Sequence, residues 1–156
     1  INDCKYGLSV NEGSMRLSLH KGGLRPDKEG DMGRHVCRYA ILPHCEGFSA
    51  QSVIQPAYEF NYAPLAISGN ADVTPLASVD AKNVIVESVK PCEDAQHAYI
   101  LRLYEAAGDY ANANLTFGHA VKRLSICNML EEEQSELDGT GLTFTPFQIR
   151  TVKVEY

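Results

Sequence analysis

His35, Cys37, His44 and Cys45 fall within one short stretch and are residue types that ligate transition metals. Zinc needs four such nitrogen or sulfur donors converging on a tetrahedron. His35 and Cys37 would share a face of an extended strand, but His44 and Cys45 are adjacent and diverge. Cys37 therefore reads as a core residue and His35 as a hydrogen-bonded residue near a loop. Carboxylates offer a second chemistry, since cleaving a glycosidic bond with retention needs two of them about 5 Å apart. Asp27, Asp31, Glu93, Asp94 and Glu105 are available, yet nothing in their spacing brings two to that separation. Each reads as a surface charge or a turn cap, and Glu131-Glu132-Glu133 as a solvated run. Cys–His pairs exist without a nucleophile elbow, and the glycines spell neither GxGxxG nor a phosphate-binding loop. Tyr58, Tyr62, Tyr99, Tyr104 and Tyr110 could stack on sugar rings; most read instead as packing groups with the hydroxyl at the rim.

The elements that would position these groups are mainly strands. Met15-Arg16-Leu17-Ser18-Leu19-His20 alternates apolar and polar, which predicts a half-buried strand with Met15, Leu17 and Leu19 on its inner face. Asn11-Glu12-Gly13-Ser14 has the composition of a hairpin connection, with Tyr6 to Val10 as the partner strand. A long charged loop from Gly22 to Gly33 follows, then a strand from His35 to Leu42 closed by Pro43. One short helix is expected between Ser49 and Tyr62, where Val53, Ala57 and Phe60 follow helical spacing and Pro56 must either sit in the first turn or break the pattern. Pro64, Gly69-Asn70 and Pro75 mark a linker. Beyond it, strands are expected at Val84–Val89, Tyr99–Tyr104, Ala113–Phe117, Val121–Ile126, Leu142–Phe144 and Phe147–Glu155. Such a series without helices predicts an antiparallel sandwich. In the last strand Phe147 and Ile149 have odd parity and Val152 and Val154 even, so a bulge or burial on both faces is required.

Apolar residues make up 44% and charged residues 22% of the 156 positions, the balance of an ordered globular chain. A net charge of −6 argues against nucleic acid or an anionic membrane surface as partner, and no apolar run is long enough to span a bilayer. Five cysteines at irregular spacing make no disulfide framework and point to a reducing, cytoplasmic setting. Asn114-Leu115-Thr116 is a glycosylation sequon that matters only in a secreted protein. The chain starts at Ile1 and shows no signal peptide, which suits a fragment or a processed chain. The roughly eighty residues from position 76 suffice for a small sandwich. The first sixty or so hold a hairpin, one further strand and a short helix, too little to cover their own apolar faces. The leading part is therefore expected to belong to a larger sheet.

Several strings follow one another along the chain. Asn2-Asp3-Cys4-Lys5-Tyr6-Gly7 comes first, then Pro26-Asp27 with Asp31-x-Gly33-x-His35, and Tyr39-Ala40-Ile41-Leu42-Pro43-His44. Ala57-Tyr58-Glu59-Phe60-Asn61 with Pro64-Leu65 leads to Val84 to Pro91 with Glu93-Asp94. Ile100-Leu101-Arg102-Leu103-Tyr104-Glu105 with Gly108, Asn128 to Glu131, and Pro146-Phe147-Gln148-Ile149-Arg150-Thr151 complete the series. Each string is short. In this order and spacing they resemble the carboxyl-terminal region of glycoside hydrolase family 38 α-mannosidases of bacterial type.

That resemblance implies an all-β chain in which residues 1–62 end a β-supersandwich, 63–75 form a linker and 76–156 form a terminal antiparallel β-sandwich. It implies a parent that is a retaining, zinc-dependent exo-α-mannosidase removing terminal α-mannose from oligosaccharides. The family's nucleophilic Asp and its zinc ligands lie in preceding domains, so this chain would carry no catalytic residue and no metal ligand and be inactive alone. Its partners would be the rest of the mannosidase chain and, through it, a mannose-containing oligosaccharide; homo-oligomerisation is left open. In many members an Arg-bearing loop after the first matching strand reaches the substrate cleft. The segment here is His20-Lys21-Gly22-Gly23-Leu24-Arg25, with the usual Arg replaced or shifted, so Lys21 and Arg25 become the candidates for contacts to sugar hydroxyls beyond the terminal mannose. An independent carbohydrate-binding sandwich with aromatics over a concave face is the alternative. A small metal or thiol-redox protein built on His35, Cys37, His44 and Cys45 is a third.

Overall fold

The computed structural model describes residues 1–3, 7–20, 22–23, 25–30, 32–70 and 73–156. Among these the chain is all-β apart from one short helical passage, with ten strands paired antiparallel in three sheets. Two compact units result, one of Ile1–Cys45 with Pro56–Leu65, the other of Glu46–Gln55 with Ala66–Tyr156.

In the first unit β1 (Leu8–Asn11) and β2 (Ser14–Leu17) form the expected hairpin. Its two linking residues, Glu12 and Gly13, have φ of 47° and 75°. Positive φ at both positions is the turn whose twist matches the strands, and glycine adopts it without steric cost. The strand expected from His35 to Leu42 does not form a ladder. Among the described residues only Tyr39 pairs, with Asn2, flanked by Ala40 N–H donating to the Ile1 carbonyl and Asp3 N–H to that of Arg38. The Asp3 carboxylate accepts the Arg38 backbone N–H at 2.7 Å and its Nε at 3.0 Å. Of the predicted inner face, Met15 is 68% exposed and Leu19 47%, while Leu17 is half-buried. Leu8, Val10, Val36, Tyr39 and Ile41 are also more than half exposed.

The helix expected between Ser49 and Tyr62 is present in two parts. A π-helical turn, Ala50–Ile54, runs into α1 (Gln55–Asn61). Ser49 caps it, its Oγ accepting the Ser52 N–H at 2.9 Å. Pro56 has no N–H and its ring crowds the carbonyl four residues back; the widened turn falls immediately ahead of it.

The second unit is a two-sheet sandwich. Its larger sheet has the order β4 (Val84–Pro91), β5 (Ala98–Glu105), β10 (Ile149–Glu155), β7 (Arg123–Cys127), β8 (Glu133–Glu136). The smaller holds β3 (Ala77–Val79), β6 (Ala111–Phe117) and β9 (Gly141–Phe144). Alternation decides which side chains meet between them. Tyr99, Leu101 and Leu103 of β5 and Val152 and Val154 of β10 pack with Ala113, Leu115, Leu142 and Phe144 in one buried cluster. Leu101, Leu103, Val152 and Val154 are each 0% exposed; burying a side chain of this kind stabilises the fold by about 1.5–3 kcal/mol.

Two strands go beyond the expected set. β3 is only three residues long, and β8 is a polar edge strand, Glu133-Gln134-Ser135-Glu136, without an apolar alternation to announce it. Charged edges of this kind discourage pairing with another chain. The parity conflict in the last segment is resolved by exclusion: Phe147 stands outside β10, which begins at Ile149, and no bulge interrupts the pairing of β10. Thr151 is buried on the opposite face from Val152, so this central strand is covered on both sides. Register shifts in this sheet fall instead between β4 and β5, at Val86/Ser88, and between β7 and β8, at Ile126/Cys127.

Candidate functional site

Lys21 lies outside the described residues, as does Asp31. Arg25 is exposed on the loop that follows β2. In the same unit the His20 and His35 rings lie 4.2 Å apart between centroids, and Cys37 Sγ donates to the Leu19 carbonyl at 3.4 Å. Cys45 is exposed. Among the described residues no three His, Cys, Asp or Glu side chains converge as metal ligands.

The carboxylates separate by role. Asp27 Oδ1 accepts the Glu29 N–H at 2.9 Å, the turn cap expected of it. Glu93 pairs with Lys90 at 3.0 Å on the surface. Of Glu131 to Glu133, expected to be solvated, Glu132 and Glu133 are exposed and Glu131 is half-buried, and the run is also engaged in ion pairs. Glu131 is paired to Lys90, and Glu133 lies 2.9 Å from both Arg123 and Lys153. Those two bonds hold the Glu133 carboxyl down to about 2.

Glu105 is the exception among the candidates. It ends β5 fully buried, 0% exposed. Oε1 accepts from Asn83 Nδ2 and the Ala107 N–H, both at 2.8 Å. Oε2 accepts the N–H groups of Gly108 (2.8 Å), Asp109 (3.2 Å) and Phe147 (3.0 Å). Burial alone would raise this carboxyl, but the donors outweigh it and hold it down to about 2. An ionised group with its lone pairs committed to backbone is a fastener, not a general acid or a nucleophile.

At one edge of the sandwich a cavity of about 490 Å³ opens between Leu76, Val89, Lys90, Pro91, Ala98, Tyr99, His119 and Tyr156. His119 Nδ1 lies 2.9 Å from the Ala120 carbonyl, which can only accept. The proton therefore sits on Nδ1, and Nε2 accepts the Tyr99 hydroxyl at 2.9 Å. Burial, with Tyr156 alongside, pushes the Tyr99 phenol up to about 12. The Tyr156 ring lies 5.3 Å from His119 and 5.9 Å from Tyr99. Aromatic walls with one oriented hydroxyl can hold a small apolar ring or the apolar face of a sugar. Of the tyrosines considered from sequence only Tyr99 belongs to this cavity, and it is a packing residue with its hydroxyl at the rim, as expected. Tyr62 and Tyr110 are 71% and 73% exposed, Tyr62 ring-stacked on Tyr58. His119 and Tyr156 were not singled out, since each stands alone in sequence.

Two antiparallel sheets closed over one apolar core, with a fastening carboxylate buried at the end of β5, define a β-sandwich module. Residues 83–152 match the model of the glycosyl hydrolases family 38 C-terminal beta sandwich domain. The chain is 37% identical to the mouse protein Alpha-mannosidase 2C1 over 97% of its own length, and 35% identical to the human one over 96%. It is 34% identical over 100% of its length to the Saccharomyces cerevisiae protein Alpha-mannosidase. It belongs to the carboxyl-terminal region of the family 38 glycosyl hydrolases. The chain spans only 16% of the length of its mouse and human relatives.

Proposed function

We propose that this chain is the non-catalytic carboxyl-terminal portion of a retaining, zinc-dependent exo-α-mannosidase that removes terminal α-mannose from oligosaccharides. The observation that carries this reading is 37% identity, across nearly the whole chain, to a much longer protein named as an α-mannosidase. Zinc and the reacting carboxylates would be held in the remainder of the parent. The exposed apolar side chains of the leading hairpin support assigning residues 1–62 to the end of a larger β-sheet assembly, followed by a linker at 63–75 and the terminal sandwich at 76–156. The parent works in the cytoplasm in this reading, alone or as a homo-oligomer, on a mannose-containing oligosaccharide, without nucleic acid or membrane. Lys21 and Arg25 would approach sugar hydroxyls beyond the terminal mannose. The test compares this chain with the full-length parent on an aryl α-mannoside: turnover by the parent and none by the chain is expected. Turnover by the purified chain would overturn the assignment.

The aromatic cavity at Tyr99, His119 and Tyr156 favours a second reading, an independent carbohydrate-binding sandwich. Calorimetry of the chain against mannose oligosaccharides separates the two, because saturable heat lost in a Tyr156→Ala variant supports the binding module.

A further inference from the structure

Phe147 is held in a conformation that its own sandwich does not reward. Its φ of 58° lies in the left-handed region, which a bulky side chain adopts only when something compels it. The compulsion is visible. Glu105 Oε2 takes the Phe147 N–H at 3.0 Å and, with Oε1, ties down the N–H groups of Ala107, Gly108 and Asp109. The ring then lies directly over Gly108, where an added Cβ would stand 2.6 Å from Phe147 Cζ. Yet Phe147 is 69% exposed, and so is much of Ile149 (54%), the first residue of β10, which pairs with Tyr104. The fold thus buries a carboxylate, reserves a glycine and strains a backbone in order to present an aromatic ring to the outside.

We infer that Phe147, with Ile149 beside it, is an anchor that inserts into an apolar pocket on the remaining part of the parent polypeptide. A rigid, pre-oriented aromatic loses little entropy on docking and is the residue type that dominates interfaces. The occupant is argued from length. The match takes in 97% of this chain but 16% of the mouse relative, so in a parent of that length most of the polypeptide lies outside this chain and is available to cover the ring. The inference rests on the parent being a longer family 38 enzyme; it names the surface through which the terminal sandwich joins the rest.

The experiment is hydroxyl-radical footprinting of Phe147 in the full-length parent and in this chain, with Phe147→Ala and Ile149→Ser tested in both. Oxidation of Phe147 several-fold slower in the parent is expected, with each variant speeding proteolytic release of the terminal sandwich from the parent while leaving the chain's own melting temperature nearly unchanged. Equal oxidation in the two proteins overturns the inference. So does protection in the isolated chain that rises with its concentration, which would assign the ring to a second copy. Absence of mannosidase activity in the parent would remove the proposed function but leave the footprint to stand or fall by itself.

Discussion

The Glu105 carboxylate and the Phe147 backbone N–H meet at 3.0 Å across 42 positions of sequence. That bond, with three more to the turn after β5, joins the 105–109 loop to the entry of β10, so one ionised side chain sets the geometry of two loops at once.

Acid stability follows from it. The Glu105 carboxyl is held at about 2 against an ordinary 4.5. A group depressed in the folded state stabilises it fully above its unfolded value and loses that contribution as pH falls toward the folded one. The shift corresponds to about 3 kcal/mol, present at pH 7 and lost between roughly pH 5 and 2. In the Glu105→Gln variant, urea unfolding should show a loss of about that size at pH 7 and a flatter acid limb. An unchanged acid limb would mean that another carboxylate governs it.

Gly108 and Phe147 should be energetically coupled. Gly108 has φ of 77°, and a Cβ there would meet the Phe147 ring. Gly108→Ala is expected to cost about 2–3 kcal/mol, part from the left-handed backbone and part from the ring. In a Phe147→Ala background only the backbone part remains, so a double-mutant cycle should return a coupling of about 1 kcal/mol. Strict additivity contradicts the packing described.

Alkaline behaviour should be set in part by Tyr99. Its phenol is pushed from 10.0 up to about 12, chiefly by burial. A raised value means the folded state keeps the proton longer than the unfolded chain, so stability is complete below about 10 and declines as pH rises toward 12. Ultraviolet titration should show Tyr99 ionising late. Tyr99→Phe should abolish that late step and cost about 1 kcal/mol at neutral pH through the lost bond to His119. A high-pH titration limb left unchanged by Tyr99→Phe would refute it.

Thiol reactivity should split by position. Cys45 is exposed, whereas Cys127 is buried in β7 and burial pushes its thiol up. A disulfide reagent at neutral pH should modify Cys45 rapidly and Cys127 only as fast as the sandwich opens. Mass mapping that finds Cys127 labelled first would contradict its burial.

The sandwich was legible because its strands advertise it. Ala111, Ala113 and Leu115 point inward while Asn112, Asn114 and Thr116 point out, and that alternation is visible in one dimension. β8 was not, since Glu133 and Glu136 carry no apolar stripe and the strand exists through pairing to β7 and ion pairs with Arg123. The strand expected from His35 to Leu42 fails for the opposite reason. Its alternation is sound, but the described residues offer it only Asn2 as a paired neighbour.

Periodicity, composition and the order of short strings were enough to establish a β-rich chain, and to raise the expectation that its leading part belongs to a larger sheet. Only the tertiary structure decided that Glu105 fastens rather than reacts, and that Tyr99, His119 and Tyr156 wall one cavity. The physical reason is the same in each case. The donors to Glu105 come from residues 83, 107, 108, 109 and 147, and the cavity walls run from Leu76 to Tyr156. A strand's face is a local property of alternating side chains, whereas the environment of a carboxylate or a phenol is the sum of distant segments brought together by the core.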